Sequence, residues 1–181
     1  NPEAREWFGS KYARLIEAGI DGFWNDMNEP AIFYSREGID ALNQAVKDYA
    51  NQSESKKTEK TDDIMNQANE IPAEVKNIME HLQNSPEDYK RFYHKVNGKM
   101  VRHDQVHNLY GFNMTRAASE AFEKIAPDKK MLMFSRASYI GMHRYGGIWT
   151  GDNQSWWSQL ELSIKQMPAL NMCGFMYVGS D

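Results

Sequence analysis

The feature that most constrains the fold is a repeated alternation of an amphipathic helix with a short apolar strand. In residues 3–18 the apolar side chains recur at helical spacing and predict one helix with a single buried face. Gly19 follows as a helix stop, and an apolar, aromatic run comes next. The members of the predicted buried face are Phe8, Tyr12, Leu15 and Ile16.

Two more units of the same kind follow later in the chain. Residues 107–135 predict a helix, with Leu109, Phe112, Met114 and Phe122 on or near its buried side, and then a strand. Residues 146–178 predict a strand, a long helix and another strand. Because helix and strand alternate, we expect an α/β fold with parallel strands. The four predicted strands are 20–24, 131–135, 146–149 and 175–178.

A long insertion separates the first unit from the second. Residues 36–105 are too many for an ordinary connection between a strand and a helix. Residues 51–63 are polar throughout, whereas 71–83 and 86–96 have the pattern of short helices. We therefore expect a small helical insertion with a mobile, solvated tip. The predicted division is 1–35 for the first helix and strand, 36–105 for the insertion and 106–181 for the remaining units.

The composition excludes several classes of function. A formal net charge of −4 and a pI of about 5.8 leave no basic surface for nucleic acid, and no apolar run approaches the roughly 20 residues of a membrane span. Cys173 is the single cysteine, so the sequence asks for no disulfide and mildly favours a reducing cytoplasm. The chain starts Asn1-Pro2 without a leader-like segment, and we expect it to be part of something longer.

Two acidic residues follow predicted strands and are candidates for chemistry. In parallel α/β folds the carboxyl ends of the strands carry function. In "DGFWNDMNEP" Asp21 opens the first strand and Asp26 follows it, so Asp26 is the candidate and Asp21 is expected to be structural. In "GIWTGDN" Asp152 holds the matching position after another strand. The alternatives are a turn former at Asp26 and a helix cap at Asp152 with Asn153.

Paired carboxylates, each with a nearby Trp, fit carbohydrate hydrolysis. One acid attacks or activates water while the other protonates the leaving oxygen. His107 and His143 show no metal-ligand spacing with these acids, and the sequence has no serine nucleophile elbow. No cofactor and no metal are therefore implied.

Five stretches, in order along the chain, resemble glycoside hydrolase family 31, whose best-known members are α-glucosidases. They are "GFWNDMNEP", "HNLYG", "SRASYIG", "GGIWTGDNQSWWSQLELSI" and "FMYVGSD". The resemblance implies that the chain is part of a (β/α)₈ TIM barrel, about strands four to seven, with a helical insertion after the first strand of this chain. It also implies a retaining α-glucosidase that acts on terminal α-linked glucose of oligosaccharides.

The resemblance assigns roles residue by residue. Asp26 matches the catalytic nucleophile and Asp152 the general acid/base, which we expect to be buried against Trp149 so that it can hold its proton. Arg136 matches the arginine that holds sugar hydroxyls, although without the family a strand-end salt bridge would explain it. Trp24, Met27 and Trp149 match walls of the sugar pocket, Asp181 matches an acid of that pocket, and Glu29 is expected to orient the loop.

Several alternatives remain open at this point. An α-xylosidase or another α-glycosidase would share these motifs, and an inactive fragment or a sugar-binding module without chemistry would share parts of them. The family's later pocket residues, including a histidine from strand eight, are missing from the sequence. We therefore expect a catalytic-domain fragment that self-associates or needs the rest of its barrel. Trp156 and Trp157, on a predicted helix, are expected to be core residues.

Overall fold

A computed structural model describes residues 1–31, 35–56 and 86–181. The helices of these residues are α1 (Pro2–Ser10), α2 (Ala13–Glu17), α3 (Arg36–Lys56), α4 (Pro86–Tyr89), α5 (His103–Val106), α6 (Leu109–Ile125) and α7 (Trp157–Met172). The strands are β1 (Gly22–Asn25), β2 (Tyr93–Val96), β3 (Lys99–Arg102), β4 (Leu132–Ser135), β5 (Gly147–Trp149) and β6 (Val178–Gly179). A single 3₁₀ turn at Met142–Arg144 lies between β4 and β5.

The predicted parallel sheet is confirmed. Its strand order is β1-β4-β5-β6 and every described pairing is parallel. Strand order follows chain order, as in a segment of a (β/α)₈ barrel, with α6 connecting β1 to β4 and α7 connecting β5 to β6. Three predicted strands agree with the structure to within two residues at each end. The fourth lies later than predicted, at Val178–Gly179 instead of 175–178.

The predicted single helix over residues 3–18 is wrong, because the chain forms two helices with a turn at Lys11 and Tyr12. The N–H groups of these two residues donate to carbonyls three positions back, which tightens the backbone there. Tyr12 and Ile16 are buried as predicted, whereas Leu15 is 42% exposed. The turn places the Tyr12 ring edge-on to aromatic rings of α6 and β1, at 5.3 Å from Phe122 and 5.0 Å from Phe23.

Two apolar clusters hold the sheet and its helices together. The first joins α2, α6 and β4 and consists of Tyr12, Ile16, Ala118, Phe122 and Met133. The second lies beside β5 and consists of Met142, Ile148 and Phe175. Burying such side chains stabilises the fold by about 1.5–3 kcal/mol for each large residue. The clusters fix the relative positions of β1, β4 and β5, whose carboxyl ends carry the candidate acids.

Some side chains predicted to be buried are exposed. Leu109 is 41% exposed at the start of α6, and Trp156 and Trp157 are 64% and 87% exposed, so the expectation that these two tryptophans are core residues is wrong. Helical spacing alone does not say which neighbour will cover a face. None of the helices among residues 1–31, 35–56 and 86–181 combines the length and the apolar character that crossing a membrane requires.

The chain divides into two compact units, and the insertion forms most of the second. The first unit comprises 1–30, 94–101 and 105–181, and the second comprises 31–93 and 102–104. The predicted helix over 71–83 and residues 57–63 of the expected mobile tip lie outside the described residues, whereas residues 51–56 of that tip belong to α3. The predicted helix over 86–96 is wrong after Tyr89, because the helix ends there and the hairpin of β2 and β3 begins at Tyr93. Its turn is Asn97-Gly98 with φ of 49° and 79°, a pair that favours hairpins.

Within the second unit, a polar cluster ties the start of α3 to α4. Ser35 Oγ accepts a hydrogen bond from the N–H of Gly38 in the first turn of α3 and donates one to Asp88 Oδ1. Arg91 Nη1 lies 3.1 Å from the same Oδ1 and 2.9 Å from Ser35 Oγ. Asp88 is only 2% exposed, and these donors satisfy Oδ1 of the buried carboxylate, whereas Oδ2 has no hydrogen-bond partner among the described residues. The division of the sequence at residues 36 and 105 stays a prediction.

Candidate active site

The first candidate acid, Asp26, lies directly after β1 on a tightly folded loop. Met27 adopts a left-handed backbone conformation with φ of 54°, and its N–H donates to Asp26 Oδ1 at 2.8 Å. A non-glycine residue in this region is uncommon, and such residues concentrate at functional sites. The loop therefore presents the Asp26 carboxylate, 38% exposed, at the carboxyl edge of the sheet.

Arg136, directly after β4, connects the candidate carboxylates. Its Nη1 atom lies 3.0 Å from Asp26 Oδ1 and 3.4 Å from Asp152 Oδ1. Its Nε and Nη2 atoms form a two-pronged pair with Glu29, at 2.7 Å and 3.2 Å. The hydrogen bonds that Arg136 donates to Glu29 are the main cause that raises the pKa of Arg136, so the side chain stays a cation. The strand-end salt bridge considered for Arg136 is therefore present, and its expected role in holding sugar hydroxyls stays a prediction.

Asp152 lies after β5 as predicted, but its surroundings differ from expectation. Its side chain is 86% exposed, so the expected burial against Trp149 is wrong. The helix-cap alternative is also wrong, because α7 begins five residues later with Trp156 at its cap position. Gly151, with φ of 96°, turns the chain just before Asp152, and the Asp152 side chain contacts Arg136.

The shared arginine limits the separation of the two acids. Oδ1 of Asp26 and Oδ1 of Asp152 contact the same Nη1 atom, so they lie no farther apart than the sum of those two distances, 6.4 Å. Carboxyl groups about 5–5.5 Å apart are typical of retaining glycosidases, and separations of about 6.5–9.5 Å of inverting ones.

Two aromatic side chains line the sheet edge beside these acids. The rings of Trp24 and Trp149 meet edge to face with 5.0 Å between their centroids. Trp149 is 8% exposed, and its Nε1 has no hydrogen-bond partner among the described residues. Trp24 is 64% exposed and Met27 is 44% exposed. Trp24 and Met27 thus give an open apolar surface of the kind on which a sugar ring packs, with the buried Trp149 packed against Trp24.

Asp181 lies close to the Asp152 loop. Its N–H donates to Asn153 Oδ1 at 3.3 Å, and the same oxygen accepts from Thr150 Oγ1 at 2.8 Å. Asn153, considered only as a helix cap in the sequence, instead connects the loop after β5 to the end of β6. The backbone adds one more bond, from the N–H of Thr150 to the carbonyl of Gly179 at 3.0 Å.

The remaining acid of the opening motif has the structural position expected of it. Asp21 is 64% exposed and pairs with Lys129 at 3.0 Å. Its carbonyl accepts from the N–H of Leu132, at the start of β4. Asp21 thus joins the amino ends of β1 and β4, at the opposite edge of the sheet from Asp26.

Sequence reasoning missed the buried polar side chains that connect the strands and loops of the site by hydrogen bonds. Asn28 and Ser135 are almost fully buried and bonded to each other, and Asn25 is buried and accepts from Tyr12. The signal that was available is their position, directly beside Asp26 and Arg136 in the quoted motifs. In the part of the chain that the structure describes, no group of three or more His, Cys, Asp or Glu side chains has a geometry suited to a metal ion.

Comparison with known proteins connects this geometry to a family. The model of the glycosyl hydrolases family 31 TIM-barrel domain matches residues 1–181. Alpha-glucosidase 2 of Bacillus thermoamyloliquefaciens is 28% identical over 181 residues, which are 100% of this chain and 17% of the relative. The alpha-glucosidase of Saccharolobus solfataricus is 27% identical over 179 residues, 99% of this chain and 22% of the relative.

A solved structure shows the same likeness in three dimensions. The family 31 alpha-glucosidase of Bacteroides thetaiotaomicron superposes with a TM-score of 0.58 at 25% identity, over 100% of this chain and 20% of that one. The chain thus spans about a fifth of the length of the relatives it matches. With the family model matching from end to end, the chain belongs to glycosyl hydrolases family 31, in its TIM-barrel domain.

Proposed function

We propose that the protein is a retaining α-glucosidase that releases terminal α-linked glucose from oligosaccharides. The observation that carries this proposal is that one atom, Arg136 Nη1, contacts Asp26 and Asp152 together. The resulting limit of 6.4 Å between their Oδ1 atoms allows the short separation of about 5–5.5 Å that retaining enzymes have. The α-glucoside preference is supported by relatives named as α-glucosidases.

In the first step, Asp26 is the nucleophile. Its Oδ1 accepts from the N–H of Met27 and contacts Arg136, which leaves Oδ2 free of these two contacts. Oδ2 attacks the anomeric carbon while Asp152 gives its proton to the glycosidic oxygen, so that the C–O bond to the leaving group breaks as the ester bond forms. The two donors on Oδ1 help to disperse the charge of the carboxylate before and after attack.

In the second step, Asp152 is the base. As a carboxylate it takes a proton from water, and the water oxygen bonds to the anomeric carbon as the ester to Asp26 breaks. The exposure of Asp152 on its loop suits this double use, because the side chain reaches both a departing oxygen and an incoming water. Attack from opposite sides in the two steps returns the α configuration.

The sugar itself would lie against Trp24, Trp149 and Met27. Arg136, held by Glu29, would donate to hydroxyls of the bound ring. A xylose ring, which lacks the hydroxymethyl group of glucose, would fit the same contacts. Specificity between the two sugars is therefore part of the test.

The test uses the protein at its full natural length with aryl α-glucoside, α-xyloside and α-galactoside. We expect turnover of the α-glucoside with α-glucose as the first product by NMR. Asp26→Asn should lower kcat by at least about 1,000-fold, since it removes the nucleophile. Asp21→Asn, a matched change at the other edge of the sheet, should leave kcat within about twofold. β-Glucose as first product, or an active Asp26→Asn enzyme, would refute the mechanism. Preference for the α-xyloside would make xylose, instead of glucose, the sugar that the enzyme releases.

A further inference from the structure

The side-chain amide of Asn28 connects the loop that carries the nucleophile to the loop that carries Arg136. Its Oδ1 accepts from the N–H of Ala137 at 2.9 Å, and its Nδ2 donates to Ser135 Oγ at 2.8 Å. Ser135 Oγ in turn donates to the carbonyl of Ala137 at 2.7 Å. One amide thus holds the residues on both sides of Arg136, in a closed ring of three hydrogen bonds.

This ring is buried and closely packed. Asn28 is 2% exposed and Ser135 is fully buried. Helix α6 approaches the ring at Gly111, where an added Cβ would lie 2.7 Å from Ala137 Cβ and 3.0 Å from the Asn28 carbonyl oxygen. Buried hydrogen bonds in such close packing define one loop position, because displaced partners would stay unpaired without access to water.

The backbone of Arg136 is held by the nucleophile strand as well. Its N–H donates to the carbonyl of Asn25 at 3.0 Å. From this anchored position the guanidinium contacts Asp26 at 3.0 Å and Asp152 at 3.4 Å. These distances leave little margin, since a displacement of about 1 Å in a catalytic group lowers rates by about 100-fold.

We propose that Asn28 is a positioning residue, which fixes Arg136 between the two acids through the backbone on either side of it. The inference rests on the proposed glycosidase function, because its kinetic consequence requires that Asp26 and Asp152 react. Glu29 orients the guanidinium through Nε and Nη2, whereas Asn28 fixes the position of the Arg136 backbone. Asn28 touches neither the sugar nor the reacting atoms.

The test compares three variants of the full-length protein with the wild type. Asn28→Ala removes both amide bonds. Ser135→Ala removes only the serine bridge and leaves the Asn28 to Ala137 bond. Asn171→Ala is the matched control, since Asn171 Nδ2 also donates to a backbone carbonyl, that of Phe175. This bond lies in the connection between α7 and β6, which leads into the amino end of β6.

We expect Asn28→Ala to lower kcat by about 100-fold with KM changed less than about threefold. Ser135→Ala should fall between Asn28→Ala and the wild type, and Asn171→Ala should match the wild type. Titration of active sites with a fluorinated glycosyl inactivator separates positioning from folding. Positioning leaves the number of titrated sites unchanged and slows turnover at each. Fewer sites with normal turnover at each would overturn the inference and make Asn28 a stability residue.

A crystal structure of Asn28→Ala decides the inference independently of activity. We expect Arg136 Nη1 to have left at least one of the two acids. If it remains at its distances from Asp26 and Asp152, the inference fails whatever the kinetics show. If the wild type turns over no substrate of the panel, the proposed function fails, and the same crystal structure still decides whether Asn28 positions Arg136.

Discussion

Arg136 Nη1 stands 3.0 Å from Asp26 Oδ1, so the residue after β4 is joined to the residue after β1. The same guanidinium pairs with Glu29 and reaches Asp152. Three carboxylates from two loops therefore share one cation. A flat guanidinium with several donors can serve them together, whereas a point charge cannot.

Arg136→Lys tests this requirement for shape. The ammonium keeps the charge but cannot pair with both Glu29 oxygens while reaching Asp26, so we expect kcat/KM to fall by about 100-fold or more. Steady-state kinetics on the aryl α-glucoside measures it. Arg144→Lys is the control, because Arg144 is exposed and donates to the carbonyl of Gly141. Equal activities for the two variants would contradict the role of the two-pronged pair between Arg136 and Glu29.

Gly111→Ala tests the close approach of α6 to the loops of the site. The added Cβ would come within 2.8 Å of the Ala137 carbonyl oxygen, so helix or loop must move. We expect a loss of about 1–3 kcal/mol in the free energy of unfolding by denaturant titration, with reduced activity. Gly22→Ala, whose Cβ would meet only Leu132 at 3.7 Å, should be nearly neutral. Similar losses in both variants would show that close packing at residue 111 is unimportant.

Tyr12→Phe tests a buried hydrogen bond and its pH dependence. The Tyr12 hydroxyl donates to Asn25 Oδ1 at 2.9 Å, and its loss leaves a buried acceptor unsatisfied at about 1–3 kcal/mol. Burial raises the pKa of Tyr12 above its ordinary 10.0. The folded state therefore favours the protonated phenol, and this contribution is complete below pH 10 and lost as pH rises through the raised value.

Thermal unfolding from pH 8 to 11 checks the Tyr12 prediction. Tyr12→Phe should have the lower melting temperature at pH 8, and its stability should decline less steeply above pH 10 than that of the wild type. Tyr177→Phe, at a residue that is 69% exposed, is the control for loss of a phenol. Melting temperatures that fall equally with pH above 10 in the wild type and in Tyr12→Phe would contradict the assignment of this pH dependence to Tyr12.

Asp88→Asn tests the polar cluster of Ser35, Asp88 and Arg91, which connects the start of α3 to α4. The variant loses the carboxylate that Ser35 and Arg91 share, so α3 and α4 should open more often. Hydrogen exchange should be faster across residues 35–51 and 86–93, with unchanged protection in α6. Glu87→Gln, at an exposed side chain paired with Lys90, is the neighbouring control. Uniformly faster exchange in both units would show that the cluster stabilises more than the insertion.

The 181-residue chain alone should associate with itself. Strands β1 and β6 each have one neighbour in the four-stranded sheet of the described residues, and unpaired edges bind other strands. Large apolar side chains are also exposed, among them Trp157 at 87% and Met172 at 90%. Sedimentation velocity over a range of concentrations should show species larger than a monomer, with less association for Trp157→Glu. A uniform monomer at high concentration would contradict this prediction.

The fold was largely predictable because its signals are local. A short, mostly apolar strand of three or four residues beside a helix of regular spacing needs no distant information, and β1, β4 and β5 lie where the pattern places them. The break between α1 and α2 was missed because it depends on where Tyr12 packs against Phe23 and Phe122. The hairpin after Tyr89 was missed although Asn97-Gly98 is a recognised hairpin signal.

Sequence determined which residues stand at the carboxyl ends of the strands. Asp26, Arg136 and Asp152 each follow a strand, and in a parallel sheet such positions share one edge whatever the details of packing. Tertiary structure decided how these side chains meet. The contact of Asp26 and Asp152 with one nitrogen of Arg136, the exposure of Asp152 and the buried ring around Asn28 depend on distances between residues up to 126 positions apart in the chain, which no local pattern encodes.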